Sequence, residues 1–181
     1  MTRDEALALL KQHLTNKNLV KHCLSVEACM RAMAVRLGFD PEPWALAGLI
    51  HDLDYELTGM SAELHTTETV KILEGRGLPA DIIHAVQAHA GKVPCVSPMD
   101  WAIYSIDPLT GLIIAAVLMH PSKKIKAIDT DFIKRRYKEK SFAKGARRED
   151  IETSRNLGLE LDEFIGICLS AMQGIDEALG L

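Results

Sequence analysis

The sequence predicts an all-α fold, a single compact helical domain of about eight helices. Two observations carry this. Apolar residues recur at helical spacing along almost the whole chain, and no stretch sustains the apolar–polar alternation of a half-buried strand. A third points to one domain: the 181 residues, 48% hydrophobic and 25% charged, are enough for one sizeable core, and no linker, repeat or low-complexity tract divides them.

The elements follow in chain order. Thr2 and Glu5 form a capping box for a helix over roughly 3–14. A second helix, about 19–37, stops at Gly38; its apolar face carries Val26, Met30, Met33 and Leu37, and His22 lies on that face. Asp40 caps a third helix with Pro41 at its first position, and that helix ends near His51. Further helices are expected at about 61–75, 79–90, 98–119, 130–138, 148–157 and 162–179. Pro79 and Pro98 mark two starts, and Gly75, Gly77, Gly91 and Gly158 mark ends. Pro108 interrupts the sixth of these segments. It removes the hydrogen bond to the Tyr104 carbonyl and clashes with it, at a cost of about 3 kcal/mol in a regular helix. A kink, or a break with Asp107 as a new cap, is therefore expected there.

Composition narrows the function classes. The net charge of −4 gives no hint of nucleic-acid binding, so no nucleic-acid partner is expected. The start "MTRDEALALLKQH" lacks the apolar core of a signal peptide. The run Leu109–Met119 is too short to span a bilayer. The four cysteines, Cys23, Cys29, Cys95 and Cys168, form no C-x-x-C pair. A cytoplasmic protein with reduced thiols and no membrane contact is expected; the oligomeric state is open. Charge is uneven, however. Residues 120–148 hold 11 of the 21 Lys and Arg residues against Asp129, Asp131 and Glu139, so this segment is near +8 and the rest near −12. Such a run reads first as a solvated helix face, and second as a positive rim for phosphate-bearing ligands.

Polar residues interrupt several apolar faces. The run "ALAGLI" ends in His51-Asp52, with Asp54 and Glu56 just beyond; His22, His65 and His89 stand in other helices; Asp107 sits in "WAIYSIDPLTGLII". An ionised aspartate in an apolar setting costs several kcal/mol unless paired or metal-bound, and Asp107 has no Lys or Arg within its helical neighbourhood. Imidazole and carboxylate together suit divalent iron, manganese, nickel or zinc. His13, His84 and His120 read as ordinary cap or surface residues.

The order His22, His51-Asp52, Asp107 on helices resembles the HD-domain superfamily of metal-dependent phosphohydrolases, over about residues 19–119. "LAGLIHDLDYE" is similar to that family's central motif and "IYSIDPLTGLIIAA" to its terminal aspartate helix. The resemblance implies one HD-type domain over 1–181, with the metal-site core at about 19–119 and a C-terminal helical extension at 120–181. It implies a metal held by His22, His51, Asp52 and Asp107. Members with two metals use two further histidines; His65 and His89 stand in that interval, and Asp52 would then bridge. Asp52, Asp107 and Asp54 are the candidate catalytic residues, with Asp54 and Glu56 alternatively holding the ligating imidazoles. Many members follow the pair with Gly-Lys, whereas Asp54 and Tyr55 stand here, which leaves the phosphate partner open. The activity implied is hydrolysis of a small phosphorylated compound or nucleotide by metal-activated water. Alternatives are a di-iron oxygenase of the same fold and a non-catalytic ligand-sensing domain.

Overall fold

The computed structural model describes residues 1–181 and contains helices and turns but no strand. Local capping places most starts. α1 (Arg3–His13) begins at Thr2 with both hydrogen bonds of the capping box. α2 (Lys17–Leu37) begins at Asn16, whose side chain accepts from the Asn18 N–H, and closes on left-handed Gly38 at φ +79°. α3 (Pro41–Ile50) is capped by Asp40. α4 (Thr67–Leu73), α5 (Ala80–His89), α6 (Pro98–Met119), α7 (Thr130–Lys138), α8 (Arg148–Ile151), α9 (Leu161–Gln173) and α10 (Asp176–Leu179) follow, with 3₁₀ turns at Ile125–Ala127 and Glu152–Leu157.

α2 and α6 form the centre of the bundle. α3 and α9 lie along α2, and α5, α7 and α8 lie along α6. The core between them is fully enclosed at Met30, Met33, Leu49, Ile50, Ile103, Ile106, Leu109 and Phe164. Gly48 sets the closest crossing: a Cβ there would lie 3.0 Å from the Glu27 Cα and backbone nitrogen of α2. Only a glycine lets α3 approach so closely, and the approach brings the C-terminal end of α3 beside His22.

Two expectations are corrected, and one pair of alternatives is narrowed. Residues 62–66 form turns, and the fourth helix begins only at Thr67, because Gly59, Met60 and Thr66 all adopt left-handed backbone (φ +60°, +62° and +69°). The last segment divides at Gly174, with Ile175 leaving helical dihedrals at φ −122° before α10, so the molecule has ten α-helices rather than about eight. Of the two outcomes expected at Pro108, the break with Asp107 as a new cap does not occur: α6 runs from Pro98 to Met119. Ile103, Ile106, Leu109 and Leu112 are fully buried on both sides of Pro108, and this packing holds the helix together through the lost hydrogen bond. By length and composition α6 is apolar enough to cross a membrane; here it is the central helix of the bundle and carries Asp107 at its middle.

Candidate metal centre

Six side chains converge from three helices and the connection between α3 and α4. His22 comes from α2, His51 and Asp52 from the end of α3, His65 from the turn before α4, His89 from the last position of α5 and Asp107 from α6. His51, Asp52, His65 and His89 are buried. The side chains of His22 and Asp107 are 22% and 30% exposed, so Asp107 stands at the mouth rather than sealed in the apolar interior the sequence suggests.

Each imidazole is held from behind through Nδ1. His51 Nδ1 donates to the Gly48 carbonyl at 2.8 Å, and His89 Nδ1 to the Val86 carbonyl at 2.5 Å. His65 Nδ1 donates to Asp54 Oδ1 at 2.7 Å. His22 Nδ1 donates to Thr110 Oγ1 at 3.2 Å, a hydroxyl whose own proton goes to the Asp107 carbonyl at 2.9 Å. Carbonyls and carboxylates only accept, and the Thr110 proton is already given to Asp107, so the Nδ1 atoms carry protons and all four Nε2 atoms face inward, where a bound cation would take the place of any proton on them.

The inward atoms fall into two groups that share one carboxylate. His22 Nε2 lies 2.9 Å from Asp107 Oδ1 and 3.3 Å from His51 Nε2, while Asp52 Oδ2 lies 3.4 Å from His51 Nε2 and 3.7 Å from His22 Nε2. On the other side His65 Nε2 lies 3.0 Å from His89 Nε2, and Asp52 Oδ1 lies 3.1 Å and 3.5 Å from those two nitrogens. Lone pairs facing one another at these distances repel unless a cation stands among them. Bonds of about 2.1 Å to one ion put neighbouring donors about 3.0–3.4 Å apart; the observed separations, from 2.9 Å (His22–Asp107) to 3.9 Å (His51–Asp107), bracket that spacing. The donor set therefore fits a divalent transition metal: His22, His51 and Asp107 form one compact group of donors and His51, Asp52 and His89 another, with His65 Nε2 beside Asp52 and His89.

The electrostatics agree. Burial pushes the Asp52 carboxyl up, but His51, His65 and His89 outweigh this and hold it well below the usual carboxylate range. His22 does the same for Asp107 against burial. Burial lowers His65 while Asp52 and Asp54 raise it, and the sum pushes it up to about 9: the cage attracts whichever cation occupies it. His89, enclosed most completely, is lowered by burial.

Asp54 stands behind His65, not in the cavity. It is fully buried, and besides His65 it accepts from the backbone N–H groups of Glu68 (3.1 Å) and Thr69 (3.0 Å) in the first turn of α4. This holds the left-handed Thr66, a conformation costing about 1–3 kcal/mol for such a residue, and so turns His65 back towards Asp52. With both oxygens engaged, Asp54 is badly placed as a general base and well placed as a positioning group. Glu56 faces away and accepts from the Thr15 and Asn16 backbone N–H groups. Asp54→Ala is expected to weaken metal binding at the His65/His89 side by about 10- to 100-fold, leaving the His22/His51/Asp107 side near wild type. Titration of metal-depleted protein with manganese measures both; an unchanged weaker site would show that Asp54 does not position His65.

A cavity of about 500 Å³ opens over the centre. Its outer wall includes Tyr55, Tyr104, Ala143, Gly145, Ala146 and Asp150. Tyr104 donates to Asp150 at 3.0 Å, joining α6 to α8. The sequence marks Tyr55 only as a departure from the family's motif and Tyr104 only for its carbonyl, and it does not mark Asp150 or Thr110. Tyr104 and Thr110 stand one helical turn either side of Asp107, a spacing that could have marked them; Asp150 has no local signal. His84 lies outside the centre and pairs with Asp100 at 3.1 Å.

A family model described as HD domain matches residues 19–110. The chain is similar to Ribonuclease Y of Nitratidesulfovibrio vulgaris strain DP4, 32% identical over 100 residues, covering 53% of this chain and 18% of that protein. Ribonuclease Y 2 of Levilactobacillus brevis is 32% identical over 99 residues, covering 52% and 18%. Ribonuclease Y of Lactobacillus acidophilus is 29% identical over 111 residues, covering 59% and 20%. The chain spans about a fifth of the length of these relatives. No solved structure matches. The relatives' names overturn the expectation that no nucleic acid is involved. That expectation rested on a net charge of −4, which averages an acidic bulk with the +8 segment at 120–148 and says nothing of where a polyanion would meet the surface.

Proposed function

Because the chain belongs to the HD-domain family of metal-dependent phosphohydrolases, we propose that it hydrolyses a phosphoester bond of a ribonucleotide-containing substrate, in a single HD-type domain whose residues 19–119 carry the centre and whose residues 120–181 help to enclose it. The observation that carries this reading is the Asp52 carboxylate, with one oxygen facing His22 and His51 and the other facing His65 and His89. His22, His51, Asp107 and Asp52 would hold one divalent ion; His65, His89 and the same Asp52 would hold a second. Bound there, such ions supply a hydroxide at neutral pH and neutralise charge on a phosphoryl oxygen.

The chain's own groups do the rest. The Nδ1 hydrogen bonds fix every imidazole before substrate arrives, which avoids reorganisation during the reaction. Asp107, half-exposed at the mouth with Oδ1 on His22, has its other oxygen without a partner in the chain and can accept a proton from an attacking water. Tyr55 and Tyr104 border the space a substrate would fill. The ribonucleotide assignment draws on the relatives' names.

The test is turnover of a labelled oligoribonucleotide and of bis-p-nitrophenyl phosphate with manganese, iron, nickel or zinc. Hydrolysis of both, abolished by EDTA and restored by metal, is expected. Absence of phosphoester turnover with all four metals overturns the proposal. Two bound irons that consume dioxygen without phosphoester turnover would favour the oxygenase reading.

A further inference from the structure

Residues 139–147, between α7 and α8, form a wall with two faces. Ala143, Gly145 and Ala146 line the metal cavity. On the other side a depression of about 450 Å³ is bordered by Lys138, Lys140, Lys144 and Arg147, and Ala146 belongs to both. Small residues thus face the centre while exposed basic side chains face outward. Elsewhere in the basic segment Lys126, Lys134 and Arg136 are neutralised by Asp176, Asp162 and Glu139. Lys138, Lys140 and Lys144 have no carboxylate partner in the chain. Two acids, Glu149 and Glu152, also border the depression, and Glu152 accepts from the Tyr137 hydroxyl at 3.2 Å, so positive charge remains in excess.

The wall is held in place. Arg148 donates to the carbonyls of Tyr137 (3.2 Å), Phe142 (2.7 Å), Ala143 (3.0 Å) and Ala146 (2.6 Å), spending its charge on the loop itself. That grip accounts for the left-handed Ala143 at φ +45°. Arg147 pairs with Asp150 at 3.4 Å, and Asp150 takes the Tyr104 hydroxyl, so one chain of contacts leads from the basic depression to the cavity wall.

We infer that Lys138, Lys140, Lys144 and Arg147 form a track for the phosphodiester backbone of a single-stranded polyribonucleotide whose scissile end lies in the adjoining metal cavity. The choice of cavity occupant rests on the phosphohydrolase reading above; binding of the strand to the basic face does not. Mobile lysines suit phosphates approached without regard to base, and a cavity of about 500 Å³ is the size of a small-ligand site, too small for a duplex. The preformed loop presents the charges without an ordering cost on binding.

The experiment is fluorescence anisotropy of a labelled 12-nucleotide single-stranded RNA with the purified full chain, as a function of salt, the probe being checked for integrity. The Lys138→Ser/Lys140→Ser/Lys144→Ser variant is expected to bind at least tenfold more weakly. Its plot of log affinity against log salt should be shallower by about 2, at ~0.7 per lost phosphate contact. A variant with the same loss of charge elsewhere, Lys11→Ser/Lys17→Ser/Lys124→Ser, should match the wild type. Single substitutions of the three track lysines should each remove about a third of the slope change, which keeps the result readable if the triple variant melts early. Equal weakening by both triple variants, no RNA binding by the wild type, or binding to phosphatidylserine vesicles in place of RNA overturns the track. Turnover of bis-p-nitrophenyl phosphate by the same wild-type sample separates the two failures: if it persists, the track alone is wrong, and if it is absent, the phosphohydrolase reading fails.

Discussion

Asp52→Ala abolishes metal binding on both sides of the centre and all phosphoester turnover; this is the largest effect expected of any single substitution. The two Asp52 oxygens are the only carboxylate atoms within reach of all four inward imidazole nitrogens, at 3.1–3.7 Å. Without them the His65/His89 pair has no anionic ligand, and the His22/His51 pair keeps only half-exposed Asp107. Metal content by mass spectrometry and turnover on the same sample measure the loss. Asp52→Asn keeps the shape but not the charge and should lose metal as well. A variant that retains both metal and turnover would show that Asp52 neither bridges nor ligates.

His89→Ala separates the two halves. Its Nε2 faces only His65 and Asp52 Oδ1 among the polar groups of the second half. Metal content should drop from two per chain to one, with the ion among His22, His51 and Asp107 retained. Turnover should fall by about 100-fold or more, as loss of several kcal/mol of charge stabilisation requires. A count that stays at two would place His89 outside the coordination and return it to a structural role in the core.

What was legible in the sequence was local. Thr2, Asp40, Gly38 and Pro98 mark helix ends because caps are decided within a few residues, and those ends appear where expected. The late start at Thr67 was not legible. The carboxylate serving the first turn of α4 belongs to Asp54, which also holds His65, and the left-handed Thr66 depends on that long-range arrangement. Pro108 shows the converse: of the kink and the break expected there, the break is overridden by tertiary packing around Ile106 and Leu109. At the centre, the His51-Asp52 dipeptide pointed to a metal, and the family resemblance carried by the order of the polar residues pointed to the six side chains that meet. Of the two roles the sequence offered Asp54, only packing selects the one behind His65, and nothing local could reveal that Thr110 holds His22 or that the 139–147 loop walls the mouth. Those facts arise from residues far apart in sequence, brought together only by packing.

Anomalous diffraction from crystals of the wild-type chain loaded with manganese tests the central claim most directly. Two peaks are expected, one among His22, His51 and Asp107, the other beside His65 and His89, with one Asp52 oxygen on each. A single peak, or two peaks with Asp52 touching neither or only one, would contradict a carboxylate-bridged pair.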